Sequence, residues 1–233
     1  MHSRRTWDSV GSVRPPVTVI CFDLGGVLVR ICSTWEEACA RAGVAVRRLG
    51  EQTRAARHAV VESFQRGQMS SAEYFAEMAQ AFGGAYHAGE LARVHDAWLI
   101  EDMPGAAEVV RELNQVGSVV TACLSNTNAI HWPRLRPTDG SCEFPAAAAV
   151  SRAFASHLLG VAKPSQQAFE LVEQALGVGG PQIVLFDDLA ENVHAARRAG
   201  WLAQQVDPLG DVAGQMRQWL LYNGVLGHQR ESR

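Results

Sequence analysis

The chain has 233 residues, 47% of them hydrophobic, and a formal net charge of −3. That size suits one α/β domain, or a core domain carrying a smaller inserted one. The scattered basic residues argue against a nucleic-acid surface, and no apolar run is long enough for a membrane span.

Five cysteines, Cys21, Cys32, Cys39, Cys123 and Cys142, form no CxxC pair. They read as reduced thiols of a cytoplasmic protein, not as a disulfide frame or a zinc site. Residues 1–16 are polar, contain Arg4-Arg5 and end in Pro15-Pro16. A twin-arginine export signal needs an apolar segment after the arginines; none follows, and the expectation is a flexible arm.

Val17 to Phe22 is a continuous apolar run, as in a fully buried strand of a parallel sheet. Asp23 follows at its carboxyl end, where open α/β sheets keep ligand sites, and Gly25-Gly26 permit a sharp turn there. On this stretch alone, Asp23 could equally be a turn cap. Val27 to Ile31 is expected to stay extended as a short flap. From Thr34 to about Phe82 the spacing is helical, with helix starts at Ser33-Thr34 before Glu36-Glu37 and at Ser70-Ser71 before Glu73. A further helix is predicted from Gly89 to Leu99, and Pro104-Gly105 returns the chain to the core.

A βα rhythm follows. Ala106–Val116 is predicted helix and Val119–Leu124 a buried strand ending in Ser125-Asn126-Thr127-Asn128. Pro133, Pro137 and Gly140 mark a loop. Phe154–Ser156 is a short strand, Lys163-Pro164 a loop, and Gln166–Leu176 a helix with Pro164 near its start. Ile183–Phe186 is a strand ending in Asp187-Asp188, Asn192–Ala199 a helix, Trp201–Val206 the last strand and Asp211–Tyr222 the closing helix. Alternating strands and helices imply a parallel sheet, a Rossmann-like α/β core with an inserted all-helical cap. The expected organisation is an arm at 1–16, a core at 17–30 and 104–223, and a cap at 31–103.

In such a sheet the strand ends share one edge, so Asp23, Ser125, Asn126, Lys163, Asp187 and Asp188 can converge. Carboxylates, an ammonium group, a hydroxyl and glycine-rich backbone suit a hard cation beside a phosphate. The sequence resembles the haloacid dehalogenase (HAD) superfamily hydrolases, in their phosphatase branch. Four motif regions carry the resemblance: Asp23-Leu24-Gly25-Gly26-Val27, Leu124-Ser125-Asn126, Lys163-Pro164, and Phe186-Asp187-Asp188 with Asn192. The run Leu124-Ser125-Asn126-Thr127-Asn128 with His131, and Gly25 two residues after Asp23, are similar to the alpha-D-glucose-1-phosphate phosphatase-like group.

The resemblance implies a Mg²⁺-dependent phosphatase acting on a small phosphorylated metabolite, a sugar 1-phosphate being one. Asp23 is the implied nucleophile, giving an aspartyl-phosphate. Asp23, the Gly25 carbonyl and Asp188 are the implied Mg²⁺ ligands. Ser125, Asn126, Lys163 and Gly26 are implied around the phosphate, Ser125 and Asn126 at a strand–helix junction, with Asp187 and Asn192 in support. Most such phosphatases carry a second Asp where this chain has Gly25, and proton transfer from that position is worth ~10²–10⁴-fold. Two readings stay open: a phosphatase for substrates with good leaving groups, or a weakly active relative that binds a partner. Dehalogenation of a 2-haloacid, a third, uses the same Asp without a metal, and the Asp187-Asp188 pair argues against it. His131 reads equally as a lining or a loop residue, and His157 as structural. Trp35, Phe64, Arg66 and Trp98 are candidates for substrate recognition, though residues at helical spacing are more often core. No residue pattern points to an oligomeric state.

Overall fold

The computed structural model describes residues 16–48, 50–51 and 53–227; the expected arm at 1–16 lies almost wholly outside them. The chain opens with β1 (Val19–Phe22), turns through Gly25-Gly26 and continues as β2 (Val29–Ile31). Four helices follow: α1 (Trp35–Ala42), α2 (Thr53–Gln65), α3 (Ser71–Ala81) and α4 (Ala88–Asp96). β3 (Leu99–Asp102) then pairs antiparallel with β2. The remainder alternates through α5 (Ala106–Gln115), β4 (Val120–Ser125), the single turns α6 (Trp132–Leu135) and α7 (Pro145–Ala148), and β5 (Arg152–Ala155). After it come α8 (Ser156–Leu159), α9 (Gln166–Leu176), β6 (Ile183–Asp187), α10 (Ala190–Arg198), β7 (Leu202–Gln205) and α11 (Val212–Tyr222).

All five predicted core strands form, in one parallel sheet of order β5-β4-β1-β6-β7. β1 lies at the centre of the sheet and, like β6, is apolar on both faces. Ile20 and Phe22 pack toward α5 and α11 with Val109, Leu113, Met216 and Leu220. Val19 and Cys21 point the other way, into a layer containing Phe169 and Val172 of α9 and Ala195 and Ala196 of α10. Burying one such large side chain contributes roughly 1.5–3 kcal/mol, so a strand buried on both faces anchors both layers to the sheet.

Helices α1–α4 bury their own cluster, with Phe64, Tyr74, Met78, Phe82, Tyr86 and Val94 at its centre. The starts of α1 and α3 follow from the predicted caps. Thr34 accepts from the Glu37 amide at 3.1 Å. Ser70 and Glu73 close a reciprocal capping box, at 3.2 Å and 2.7 Å.

Two expectations are corrected. The helix predicted to reach Leu99 ends at Asp96, and Leu99–Asp102 is strand. Val27 and Leu28 lie in a turn; the extended flap begins only at Val29, and its partner β3 was not foreseen. The helix Gln166–Leu176 forms with its expected bounds, capped by Ser165 with Pro164 just before it, and the Lys163-Pro164 peptide is cis.

The helical insertion sits tightly on the sheet domain. A Cβ at Gly67, just past α2, would stand 2.2 Å from the His157 carbonyl oxygen of α8, so only glycine permits that approach. Arg134 reaches Asp96 at the end of α4 at 3.0 Å.

Candidate active site

Parallel strands place their carboxyl ends at one edge, and there the predicted residues meet. Asp23 leaves β1 with its amide donating to the Phe186 carbonyl of β6 at 2.8 Å, which fixes the turn beside Asp187. One carboxylate oxygen from each of Asp23, Asp187 and Asp188 lies within 4.8 Å of the others. Lys163, the only lysine in the chain, reaches between them. Its Nζ stands 2.6 Å from Asp187 Oδ2 and 3.2 Å from Asp23 Oδ1. The Lys163 and Asp187 side chains are fully buried.

Each member is held by its neighbours. Asp187 Oδ1 accepts from the Leu189 amide at 2.9 Å and from Asn192 Nδ2 at 3.0 Å. Asp23 Oδ1 accepts from the Leu24 amide at 2.7 Å. The Asn126 side chain clamps the Lys163 backbone in both directions, donating to its carbonyl and accepting from its amide, each at 2.9 Å. That clamp was not foreseen, because it depends on a loop remote in sequence. Ser125 is buried at the end of β4 beside Asp23.

One placement differs from expectation. No helix starts at Asn126: a loop runs to α6, so Ser125 and Asn126 are not at a strand–helix junction. Gly26, expected around the phosphate, donates its amide to the Val29 carbonyl at 2.9 Å. It also contributes space: its φ is +76°, and a Cβ there would stand 2.7 Å from the Asp188 carboxylate.

The electrostatics are unbalanced. Burial would push the Lys163 ammonium down, but Asp23 and Asp187 outweigh it and hold it above the usual lysine range. Asp188 is pushed up to about 6 by burial and by the charges of Asp23 and Asp187. Three carboxylates facing one ammonium leave two negative charges uncompensated, the charge of one divalent cation.

A cavity of about 500 Å³ opens onto Gly25, Ser125 and Asn126 and runs under the insertion. The recognition candidates Trp35, Phe64 and Trp98 line it. Arg66 does not; it pairs with Glu62 one turn back on α2. His131 also lines the cavity and forms part of a network that includes the unforeseen His95 of α4. The two rings stack at 4.1 Å. His131 Nε2 donates to the His95 carbonyl at 2.8 Å, and His95 Nε2 faces Asn128 Oδ1 at 3.3 Å. Burial drives His95 down to about 3, so it is neutral. His157 lies edge-on to Trp132 at 6.0 Å and does not line this cavity.

Known proteins share this architecture. A curated relative, Phosphatase MT3486 of Mycobacterium tuberculosis (strain CDC 1551 / Oshkosh), is 42% identical over 55 residues, 24% of this chain and 25% of that protein. The match thus spans about a quarter of the relative's length. The HAD family enzyme bt-2542 of Bacteroides thetaiotaomicron superposes with a TM-score of 0.73 at 18% identity, covering 87% of this chain and 100% of that one. Its complex with magnesium and inorganic phosphate superposes at 0.67 with 19% identity, over 84% and 96%. No helix among the described residues is long and apolar enough to cross a membrane. Residues 17–200 match the haloacid dehalogenase-like hydrolase family, and the chain belongs to that family.

Proposed function

We propose that this protein is a Mg²⁺-dependent phosphatase, a phosphoric monoester hydrolase that cleaves a small phosphorylated metabolite through a phospho-aspartate on Asp23. The meeting of three carboxylates with the chain's only lysine at one point of the sheet edge carries the reading. An oxygen-only donor set suits a hard cation. Asp23, Asp188 and the Gly25 carbonyl would hold Mg²⁺, and Gly26 leaves Asp188 room to do so. When bound, the cation would neutralise charge between an anionic nucleophile and an anionic phosphoryl group. The magnesium and phosphate complex of the Bacteroides enzyme supports that pairing.

The chain's own residues supply the rest. With Asp23 Oδ1 held by Leu24 and Lys163, Oδ2 is the attacking oxygen. Lys163 offsets charge on nucleophile and phosphoryl group, and Asp187 with Asn192 fixes its ammonium. Asn126 positions Lys163 from behind, while the Ser125 hydroxyl and the Asn126 amide bind phosphoryl oxygens. Residues 31–103 form the cap that excludes water and selects the leaving group, over a core of 17–30 and 104–223. A sugar 1-phosphate substrate rests only on the resemblance of Gly25, Leu124–Asn128 with His131, and the Asp187-Asp188 pair.

One observation favours the second reading, a binding relative with little turnover. The space beside Gly25 is closed by hydrocarbon, with Ile31 Cδ1 3.0 Å from where a Cβ would stand. A panel of phosphate esters, assayed with Mg²⁺ and with chelator, separates the two. The expected result is Mg²⁺-dependent phosphate release that falls by ~10⁴-fold or more in Asp23→Asn. Activity retained in that variant removes Asp23 as nucleophile; no release from any ester favours the binding reading.

A further inference from the structure

The wall of the cavity under the insertion describes the body of the molecule it accepts. Its volume of about 500 Å³ is that of a small-molecule pocket. Ile31, Trp35, Phe64, Phe82 and Trp98 face it from the insertion, and Leu135 from the core. Four polar side chains of the inner wall, Tyr74, His95, Asn128 and His131, are engaged with one another, while Gln65 and the hydroxyls of Ser125 and Thr127 also line it. Tyr74 lies 3.4 Å from His95 Nδ1, His95 Nε2 faces Asn128, and Asn128 Nδ2 lies 3.4 Å from His131 Nδ1. Arg54, Arg57 and His58 come from α2; Arg54 and His58 are exposed, which puts them at the rim. A sugar entering this space would strip water from several hydroxyls with few partners in return, each unpaired group costing about tenfold or more in affinity. An aromatic body loses nothing and gains burial.

The chemistry beside Asp23 narrows the class further. On the cavity side the chain after Asp23 offers Leu24 and Gly25, and Ile31 fills the space over Gly25. The facing wall offers the hydroxyls of Ser125 and Thr127. His95 and His131 are neutral and committed to the network. Asp187 is bound to Lys163, and Asp23 and Asp188 belong to the cation. Among the described residues, none on this inner wall can protonate a departing oxygen at neutral pH.

We propose that the substrate is the phosphate ester of an acidic hydroxyl on a largely apolar, ring-bearing body, an aryl or cyclic enol phosphate whose ring occupies this cavity. The inference rests on the phosphatase reading and names the substrate class of that same site. An Asp23 oxygen bonds to phosphorus as the P–O(aryl) bond breaks. The bonding pair leaves on the aryl oxygen as a delocalised oxyanion, which takes its proton from solvent. Water then attacks the phosphorus of phospho-Asp23, the P–O(Asp) bond breaks, and the aspartate carboxylate and inorganic phosphate are regenerated.

Two measurements test it on the Mg²⁺-loaded full chain. The first compares kcat/KM for 1-naphthyl, phenyl and benzyl phosphates, glucose 1-phosphate and acetyl phosphate. The aryl esters should exceed benzyl phosphate and glucose 1-phosphate by ~10²-fold or more, the span that proton assistance would otherwise supply. Sugar or benzyl esters turned over as fast as the aryl esters would overturn the inference while leaving the phosphatase reading intact. No turnover of any compound, acetyl phosphate included, would remove both. The second measurement needs no turnover. Quenching of Trp35 and Trp98 fluorescence should show 1-naphthylmethylphosphonate binding ~10²-fold more tightly than methylphosphonate, from burial of the ring. Equal affinities would overturn the inference, because the ring would then lie outside the cavity.

Discussion

Gly26 shows how a backbone angle decides where a carboxylate stands. Its φ of +76° is a conformation that costs an L-residue about 1–2 kcal/mol, and an added Cβ would meet the Asp188 carboxylate at 2.7 Å. Gly26→Ala should therefore lower stability by roughly 1–3 kcal/mol and displace Asp188. Thermal unfolding with and without Mg²⁺ checks both effects: the metal-dependent gain should shrink by more than the metal-free stability does. His95 supports a prediction of a different kind. Unfolded, it takes up a proton near its usual 6.5; in the fold it does so only near 3, because burial disfavours the cation. Between those values the unfolded chain binds the extra proton, so this contribution to stability is complete above about pH 6.5 and is lost as pH falls toward 3. The slope approaches about 1.4 kcal/mol per pH unit for one fully uncoupled group. Asp188, raised to about 6, acts in the opposite direction over part of the range. The His95 share is thus the difference between wild type and His95→Gln in denaturant midpoints across pH 3 to 7, and the variant should show the shallower acid decline.

Among the elements, the β2–β3 ribbon and the loop after β4 join the helical insertion to the sheet. The ribbon is short, with Arg30 paired to Glu101 on its exposed side at 2.7 Å. Such an ion pair adds little, and the connection is held instead by the backbone pairing and by buried groups at either end. Cys32 donates its amide to the Trp98 carbonyl at 2.9 Å, and Met103 donates to that of Leu28 at 2.8 Å. On the other side, Asn128 Oδ1 accepts from the amides of Ile130 and His131, at 3.0 Å and 3.1 Å, and so orders the loop that carries His131 toward His95. These contacts fix the cavity wall relative to Asp23, which is what selection of a leaving group requires.

For the whole molecule, the decisive quantity is the charge left uncompensated at the sheet edge. A cation that binds only the folded state stabilises it by about 2.7 kcal/mol at a hundred times its Kd, or roughly 5–10 °C in Tm for a chain this long. Mg²⁺ should raise Tm by that order, and chelator should reverse it. Asp188→Asn should abolish the shift yet raise the metal-free Tm, because it removes one of three crowded carboxylates. An unchanged metal-free Tm in that variant would show that the carboxylates do not repel.

Much of this was legible in the residues. Val17–Phe22 and Ile183–Phe186 announce themselves because strands buried on both faces must be apolar throughout, and the acids that follow them then share an edge. The capping pairs at Thr34 and Ser70 are local, so their helices begin where they should. Leu99–Asp102 was missed because Glu101 and Asp102 carry no strand pattern; that strand exists only through pairing with Val29–Ile31. The Asn126 clamp on Lys163 and the stack of His95 on His131 are likewise contacts between distant segments. Sequence alone thus announced the parallel core and put Asp23, Ser125, Asp187 and Asp188 at the ends of its strands, since each ends a local apolar run, while Lys163 came only from a loop motif. Only the tertiary structure decided that Gly26 makes room for Asp188, that Ile31 closes the space at Gly25, and that the cavity is lined with rings. Those are facts of packing between segments far apart in the chain, which local pattern does not encode.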